Sequence, residues 1–321
     1  MAKADAILAL VRAHLAGDQE RFRATVLSMA ANAESTSWRL AKGLRDLAAR
    51  IPSVAQMLPL PSGAGNYLTL VPARHKLADM FLDPDAFASV QRILIEHRER
   101  DKLATHGFRP MRKMLFSGPP GVGKTMCASA LADQLELPLY RVELHAVIEQ
   151  YMGATAAHLA KVFVSIGSVR GVYLFDEFDA LGAARTASEK DVGEMRRVVN
   201  SLLQFIEQDD SDSLIICATN HVQLLDRAMF RRFDRVIEFG MPTEDVAKNL
   251  IEAELQDNNF SAIDWSTLVS VAVRVGHADI VAACNVVQKD AILFDKAIRV
   301  PDLVRELSAR RVQVESAVIV S

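Results

Sequence analysis

The chain has 321 residues, half of them hydrophobic and 24% charged, which is enough apolar material for two or three domains and matches an ordinary soluble globular protein. A formal net charge of −3 argues against a general nucleic-acid binder. Cys127, Cys217 and Cys284 are far apart and form no CxxC pair, the start of the chain shows no apolar h-region, and the most apolar windows are only strand-sized. These features predict a soluble cytoplasmic protein that does not enter a membrane.

Residues 1–51 read as helices. Ile7, Leu8, Val11 and Leu15 share one helical face, and Asp18 can cap a second helix carrying Phe22, Val26 and Met29. Leu40, Leu44, Leu47 and Ile51 repeat at helical spacing in a third. Eight Lys and Arg stand against five acids here, an excess that reads as a solvated helix face. Residues 52–76, with Pro52, Pro59, Pro61, Gly63, Gly65 and Pro72, read as a linker or irregular connector. Helix is expected again over 77–106.

From Met111 to Gly240, short apolar runs alternate with amphipathic stretches. Strands are expected at Lys113–Ser117, Leu139–Leu144, Val172–Phe175, Leu214–Thr219 and Val236–Phe239, with helices starting near Gly123, Thr155, Asp191 and Gln223. Such alternation implies an α/β fold, a parallel sheet with helices on both faces. After Pro242, segments 243–257, 265–274, 278–295 and 301–311 read as helices. The expected organisation is thus an N-terminal helical segment 1–51, a linker 52–76, an α/β domain 77–242 and a small helical domain 243–321.

Four clusters carry chemistry. Gly118-Pro119-Pro120-Gly121-Val122-Gly123-Lys124-Thr125 matches GxxxxGK[ST], with an apolar strand before it and a helical run beginning at Met126 after it. Glycines let backbone N–H groups converge on phosphate oxygens, and the following helix points its positive end at the same charge. Lys124 is placed to reach the outer phosphates of ATP, and the Thr125 hydroxyl to ligate Mg²⁺. Some fifty residues later an apolar strand runs into Asp176-Glu177. The first acid suits the magnesium, and the second the attacking water. A third apolar strand ends at Asn220, whose amide suits a γ-phosphate and that water, although Asn is also common in turns. The loop 225–235 then holds Arg227, Arg231, Arg232 and Arg235, side chains suited to charge that builds on a transferring phosphoryl group.

Together the strings GPPGVGKT, LFDEFDAL, ATN and LDRAMFRRFD resemble the AAA family of ATPases over roughly residues 80–310. The resemblance implies a P-loop α/β domain followed by a helical lid, with Asn220 as sensor. It also implies Arg231 and Arg232 as arginine fingers that act on a neighbouring subunit's nucleotide, and hence a homo-oligomeric ring, usually a hexamer. This chain lacks the Pro-Gly often found between those arginines. Tyr151-Met152-Gly153 resembles the pore-loop triplet that grips an extended polypeptide. The segment 274–280 resembles the lid around the adenine, where Gly276 and Ala278 would make contact. It departs from the family in carrying Arg274 where Gly is usual and Gly276 where Ser is common.

The resemblance implies an ATP-driven motor that remodels, unfolds or disassembles protein partners, with the N-terminal helices recruiting a substrate or adaptor. The alternative is a nucleotide-dependent assembly switch that regulates a separately encoded protease or nuclease. The chain has no HExxH, and its nearest string to GxSxG has the wrong spacing, so any proteolysis would belong to another polypeptide.

Overall fold

The computed structural model describes residues 25–26, 29, 42–43, 67–149, 155–178, 189–225, 227–255 and 265–320. The chain divides into two compact units, Met1–Leu60 and Pro61–Ser321. In the first, the described residues are helical.

Six strands form one sheet: β1 (Leu68–Val71), β2 (Lys113–Ser117), β3 (Leu139–Val142), β4 (Val172–Phe175), β5 (Leu214–Thr219) and β6 (Arg235–Glu238). Their order across the sheet is β1-β3-β4-β5-β2-β6. β3, β4, β5, β2 and β6 run parallel, and β1 joins the β3 edge antiparallel. Every residue of β2, β4 and β5 is buried, as expected of parallel strands covered on both faces.

The two faces follow from the strand period of two. On one, Met114, Phe116, Val172, Leu174, Leu214, Ile216 and Ala218 meet α1 (Pro84–Arg98) and α3 (Lys124–Gln134) through Val90, Ile93, Cys127 and Leu131. On the other, Tyr173 donates its hydroxyl to the carbonyls of Ser165 and Val169, at 3.2 and 2.8 Å. There Phe163 of α5 (Thr155–Ser168) stacks on Phe175 and on Phe205 of α6 (Glu189–Gln208). Cys127 and Cys217 lie wholly inside, and burial pushes the Cys127 thiol up to about 12 and Cys217 well above its ordinary value. Both serve packing.

Short elements complete the α/β part: α2 (Arg100–Thr105), α4 (Leu144–Glu149) and α7 (Arg227–Phe230). A second core belongs to α8 (Glu244–Leu255), α9 (Trp265–Ala272), α10 (His277–Phe294) and α11 (Val300–Val320). Leu250, Ile251, Leu268, Ile280, Cys284, Leu303 and Leu307 meet there, with Phe81 from before α1 packed against them. Among the described residues no helix is long and apolar enough to cross a membrane.

Four local expectations fail. Part of the stretch read as a linker is a strand: Leu68–Val71 pairs with β3 in the register Leu68↔Val142. Only Leu68 of its four residues is fully buried, so the strand owes its existence to a partner edge rather than to its own pattern. The helix expected over 77–106 is instead a 3₁₀ turn (Leu77–Asp79), then α1 and α2. Pro84 sits at the start of α1, where its missing N–H is harmless. The helix expected from Gln223 reduces to a 3₁₀ turn (Val222–Leu224) and the single turn of α7, and Leu144 opens α4 rather than closing β3.

Candidate active site

The register aligns the carboxyl ends of three strands. Ser117 of β2 lies opposite Thr219 of β5, and Phe175 of β4 opposite Cys217. The next residues along each strand are Gly118, Asn220 and Asp176, so parallel pairing alone brings the three motifs to one edge. The chain leaves β2 for β3 on one side and later returns to β6 on the other. The edge is therefore a switch point in the strand order, where open α/β sheets bind ligands.

Gly118 turns the chain out of β2 with φ +144°, and a Cβ built there would lie 2.0 Å from the Phe239 carbonyl oxygen. No side chain fits, because the obstacle is backbone. Gly118→Ala is expected to cost about 3 kcal/mol and to lower the melting temperature by about 6–12 °C, as scanning calorimetry would read. An unchanged melting temperature would mean that the loop does not pass this close to Phe239.

Lys124 opens α3 and is buried, 6% exposed. Its Nζ donates to the Gly118 carbonyl at 2.7 Å, the Pro119 carbonyl at 2.8 Å and Asn220 Oδ1 at 2.8 Å. The ammonium thus ties the loop to the end of β5. The first turn of α3 presents its backbone N–H groups and its positive dipole end to the same loop, including those of Thr125 and Met126.

Thr125 Oγ1 donates to Asp176 Oδ2 at 2.8 Å, and Asp176 Oδ1 accepts the Glu177 N–H at 3.0 Å. Phe178 N donates to the Ala218 carbonyl at 2.8 Å, so β5 grips the chain again just past the acids. Between these fixed points Glu177 takes φ +52°, the left-handed region that residues with a Cβ seldom adopt. Its exposed carboxylate leaves the sheet edge and meets His145 Nε2 at 3.4 Å. Nothing in the sequence marks out His145. It lies in α4 just after β3, some thirty residues before Glu177, and carries no motif of its own.

The helical part closes onto the loop. Ala278 N donates to the Gly121 carbonyl at 2.9 Å. A Cβ on Gly276 would lie 3.1 Å from the Pro120 carbonyl oxygen and 3.2 Å from that of Gly121. The structure therefore sets Gly276 and Ala278 directly against the phosphate-loop backbone, and the departure from Ser at 276 leaves room for that contact. Burial holds the His277 imidazole below its ordinary range against the opposing pull of Asp83 and the Phe81 carbonyl.

Arg231 and Arg232 are not brought to this edge. Asp234 accepts the Arg112 and Lys113 N–H groups at 2.7 and 2.9 Å, and β6 begins beside Met114. The segment 231–234 thus lies at the amino end of β2, with five strand residues, about 16 Å, between it and Gly118. Arg232 Nε donates to Glu207 Oε2 at 3.0 Å, near the end of α6. Tyr151, Met152 and Gly153 lie outside the described residues.

A parallel sheet with a GxxxxGK[ST] loop at its switch point, a Thr–Asp pair below it and a Lys–Asn pair beside it defines a P-loop nucleotide-binding α/β protein. Residues 114–241 match the model of the AAA family, described as the ATPase family associated with various cellular activities. The chain is 40% identical over 190 residues to the uncharacterized AAA family ATPase y4kL of Sinorhizobium fredii, covering 59% of this chain and 57% of that protein. It is 32% identical over 187 residues to the proteasome-activating nucleotidase of Methanococcus maripaludis, covering 56% and 46%. Its fold matches the crystal structure of the FIGL-1 AAA domain with a TM-score of 0.59 at 18% identity, over 82% of this chain and 93% of that one. Residues 114–241 are thus similar to an AAA-family domain. The chain spans about half the length of the curated relatives it matches.

Proposed function

We propose that the chain hydrolyses ATP within a ring of like subunits and uses the cycle to remodel a protein partner. The observation that carries this reading is that the candidate residues fall in two separate places. Lys124, Thr125, Asp176, Glu177 and Asn220 gather at one end of the parallel strands, while Arg231 and Arg232 stand at the other end, beyond reach of their own phosphate loop. A charge-meeting arginine that cannot serve its own site serves a neighbour's, and that requires assembly. The six-fold count comes from the family resemblance alone, as does the gripping role of Tyr151, Met152 and Gly153.

The donor set fits Mg²⁺, which prefers hard oxygen ligands. The Thr125 hydroxyl and an Asp176 carboxylate oxygen lie 2.8 Å apart at the end of the loop. When bound, the ion would neutralise charge between phosphate oxygens. Lys124 and the α3 amides would hold the phosphates, Asn220 would fix the position of Lys124, and Glu177 would take the proton of the attacking water. Protein as the class of target is supported by kinship with a nucleotidase named for activating a proteasome. Recruitment through residues 1–51 belongs to the same proposal.

A mixing experiment tests the divided site. Arg231→Ala and Arg232→Ala are each expected to hydrolyse ATP at least about 100-fold more slowly than the parent chain. Mixed with Glu177→Gln subunits, they regain turnover, because each partner supplies what the other lacks. Light scattering of the Glu177→Gln protein with ATP and Mg²⁺ should give the mass of about six subunits. A monomer of full activity, or mixtures with no regained turnover, would remove the neighbour from the mechanism.

A further inference from the structure

Asp279 sits in the first turn of α10, the turn that docks on the phosphate loop. Its Oδ2 lies 4.0 Å from where a Cβ on Gly121 would be. A carboxylate so close to a loop that binds polyphosphate opposes the ligand, unless another charge cancels it. Arg310, on α11, brings Nη1 to within 3.8 Å of Asp279 Oδ1.

The placement of Arg310 follows from helix geometry. Leu303 and Leu307 are both 0% exposed in the helical core, and Arg310 comes three residues after Leu307 on the same face. Its side chain is therefore aimed inward, 26% exposed. Its Nε is buried without a hydrogen-bond partner among the described residues. A guanidinium that leaves a buried donor unmet is not optimised as a structural fork; it stands as a positive charge beside one acid.

We propose that Arg310 is a positioning residue for nucleotide. It cancels the charge of Asp279, so that the α10 turn can close on the phosphate loop without repelling the phosphates. The inference rests on the reading of this edge as an ATP site. It makes nucleotide affinity depend on α11, an element that carries no nucleotide motif.

The test is calorimetric titration of the full chain with MgADP. Arg310→Ala is expected to weaken binding about tenfold, the effect of one uncompensated charge at a partly screened site. Asp279→Asn alone should bind at least as well as the parent chain, and Asp279→Asn/Arg310→Ala should return to within about threefold of it. The Arg310→Ala defect should shrink in 0.5 M salt, where screening acts over about 4 Å. A pair that merely held two helices together would predict the opposite: Asp279→Asn as damaging as Arg310→Ala, in stability rather than affinity. That result, or unchanged binding by Arg310→Ala, overturns the proposal. Should Arg310→Ala fail to fold, Arg310→Gln carries the same comparison. A folded parent chain that binds no ADP would sink the nucleotide reading itself, whereas a parent that binds ADP with Arg310 variants that do not differ would sink only this inference.

Discussion

Glu177→Gln is expected to bind ATP as the parent chain does and to hydrolyse it about 10²–10⁴-fold more slowly, the range removed with a general base. The substitution keeps the shape of the side chain and its ability to accept a hydrogen bond, and deletes only the proton-accepting charge. The geometry makes the separation of binding from turnover clean. The oxygen facing Thr125 belongs to Asp176, at 2.8 Å, and the backbone bond that fixes the turn runs from the Glu177 N–H to Asp176 Oδ1, at 3.0 Å. Neither involves the Glu177 carboxylate, whose one described contact is His145 Nε2 at 3.4 Å. Phosphate release measured beside nucleotide titration reads the two quantities independently. Turnover within about threefold of the parent would take the role of base away from Glu177.

Lys124→Ala fails at the earlier step. Its three described acceptors are the carbonyls of Gly118 and Pro119 and the amide oxygen of Asn220, so one ammonium joins the phosphate loop to the end of β5. Truncation removes the positive charge that meets the outer phosphates and leaves those oxygens short of a donor in a buried place. Charge-assisted hydrogen bonds of this kind contribute about 1.5–3 kcal/mol each, so the loss in ATP affinity should be about 100-fold or more. The same variant should melt a few degrees lower, because the unmet acceptors carry a desolvation cost of about 1–3 kcal/mol. Titration calorimetry and a melting curve check both parts. The pair of variants separates the roles: Glu177→Gln retains nucleotide and loses turnover, whereas Lys124→Ala loses both. If Lys124→Ala bound ATP like the parent, the loop would not be the phosphate site.

Much of this arrangement is legible along the chain. β2, β4 and β5 fall where continuous apolar runs place them, because a strand buried on both faces has no polar side to blur its limits. The order of Gly118–Thr125, Asp176-Glu177, Asn220 and the arginines is likewise readable, since each follows an apolar strand or sits in a short charged loop. Less legible are the elements whose existence depends on a partner. β1 forms on the exposed edge of β3, and four residues among prolines and glycines carry no period of their own. His145 reaches Glu177 because β3 and β4 are neighbours, a fact of strand order rather than of spacing.

The sequence by itself determined the class of fold, the phosphate loop, the two acids and the helical part that follows, because each rests on local composition: apolar runs, glycines and charge at strand ends. Tertiary structure decided how these pieces face one another. Parallel register put Lys124 on Asn220 and Thr125 on Asp176. It also set Arg231 and Arg232 at the opposite end of β2. Packing of α10 and α11 turned Asp279 toward Gly121 and brought Arg310 to meet it. Contacts between residues tens to well over a hundred positions apart leave no periodicity in the chain. They are set by which surfaces bury together, and only the folded molecule specifies that.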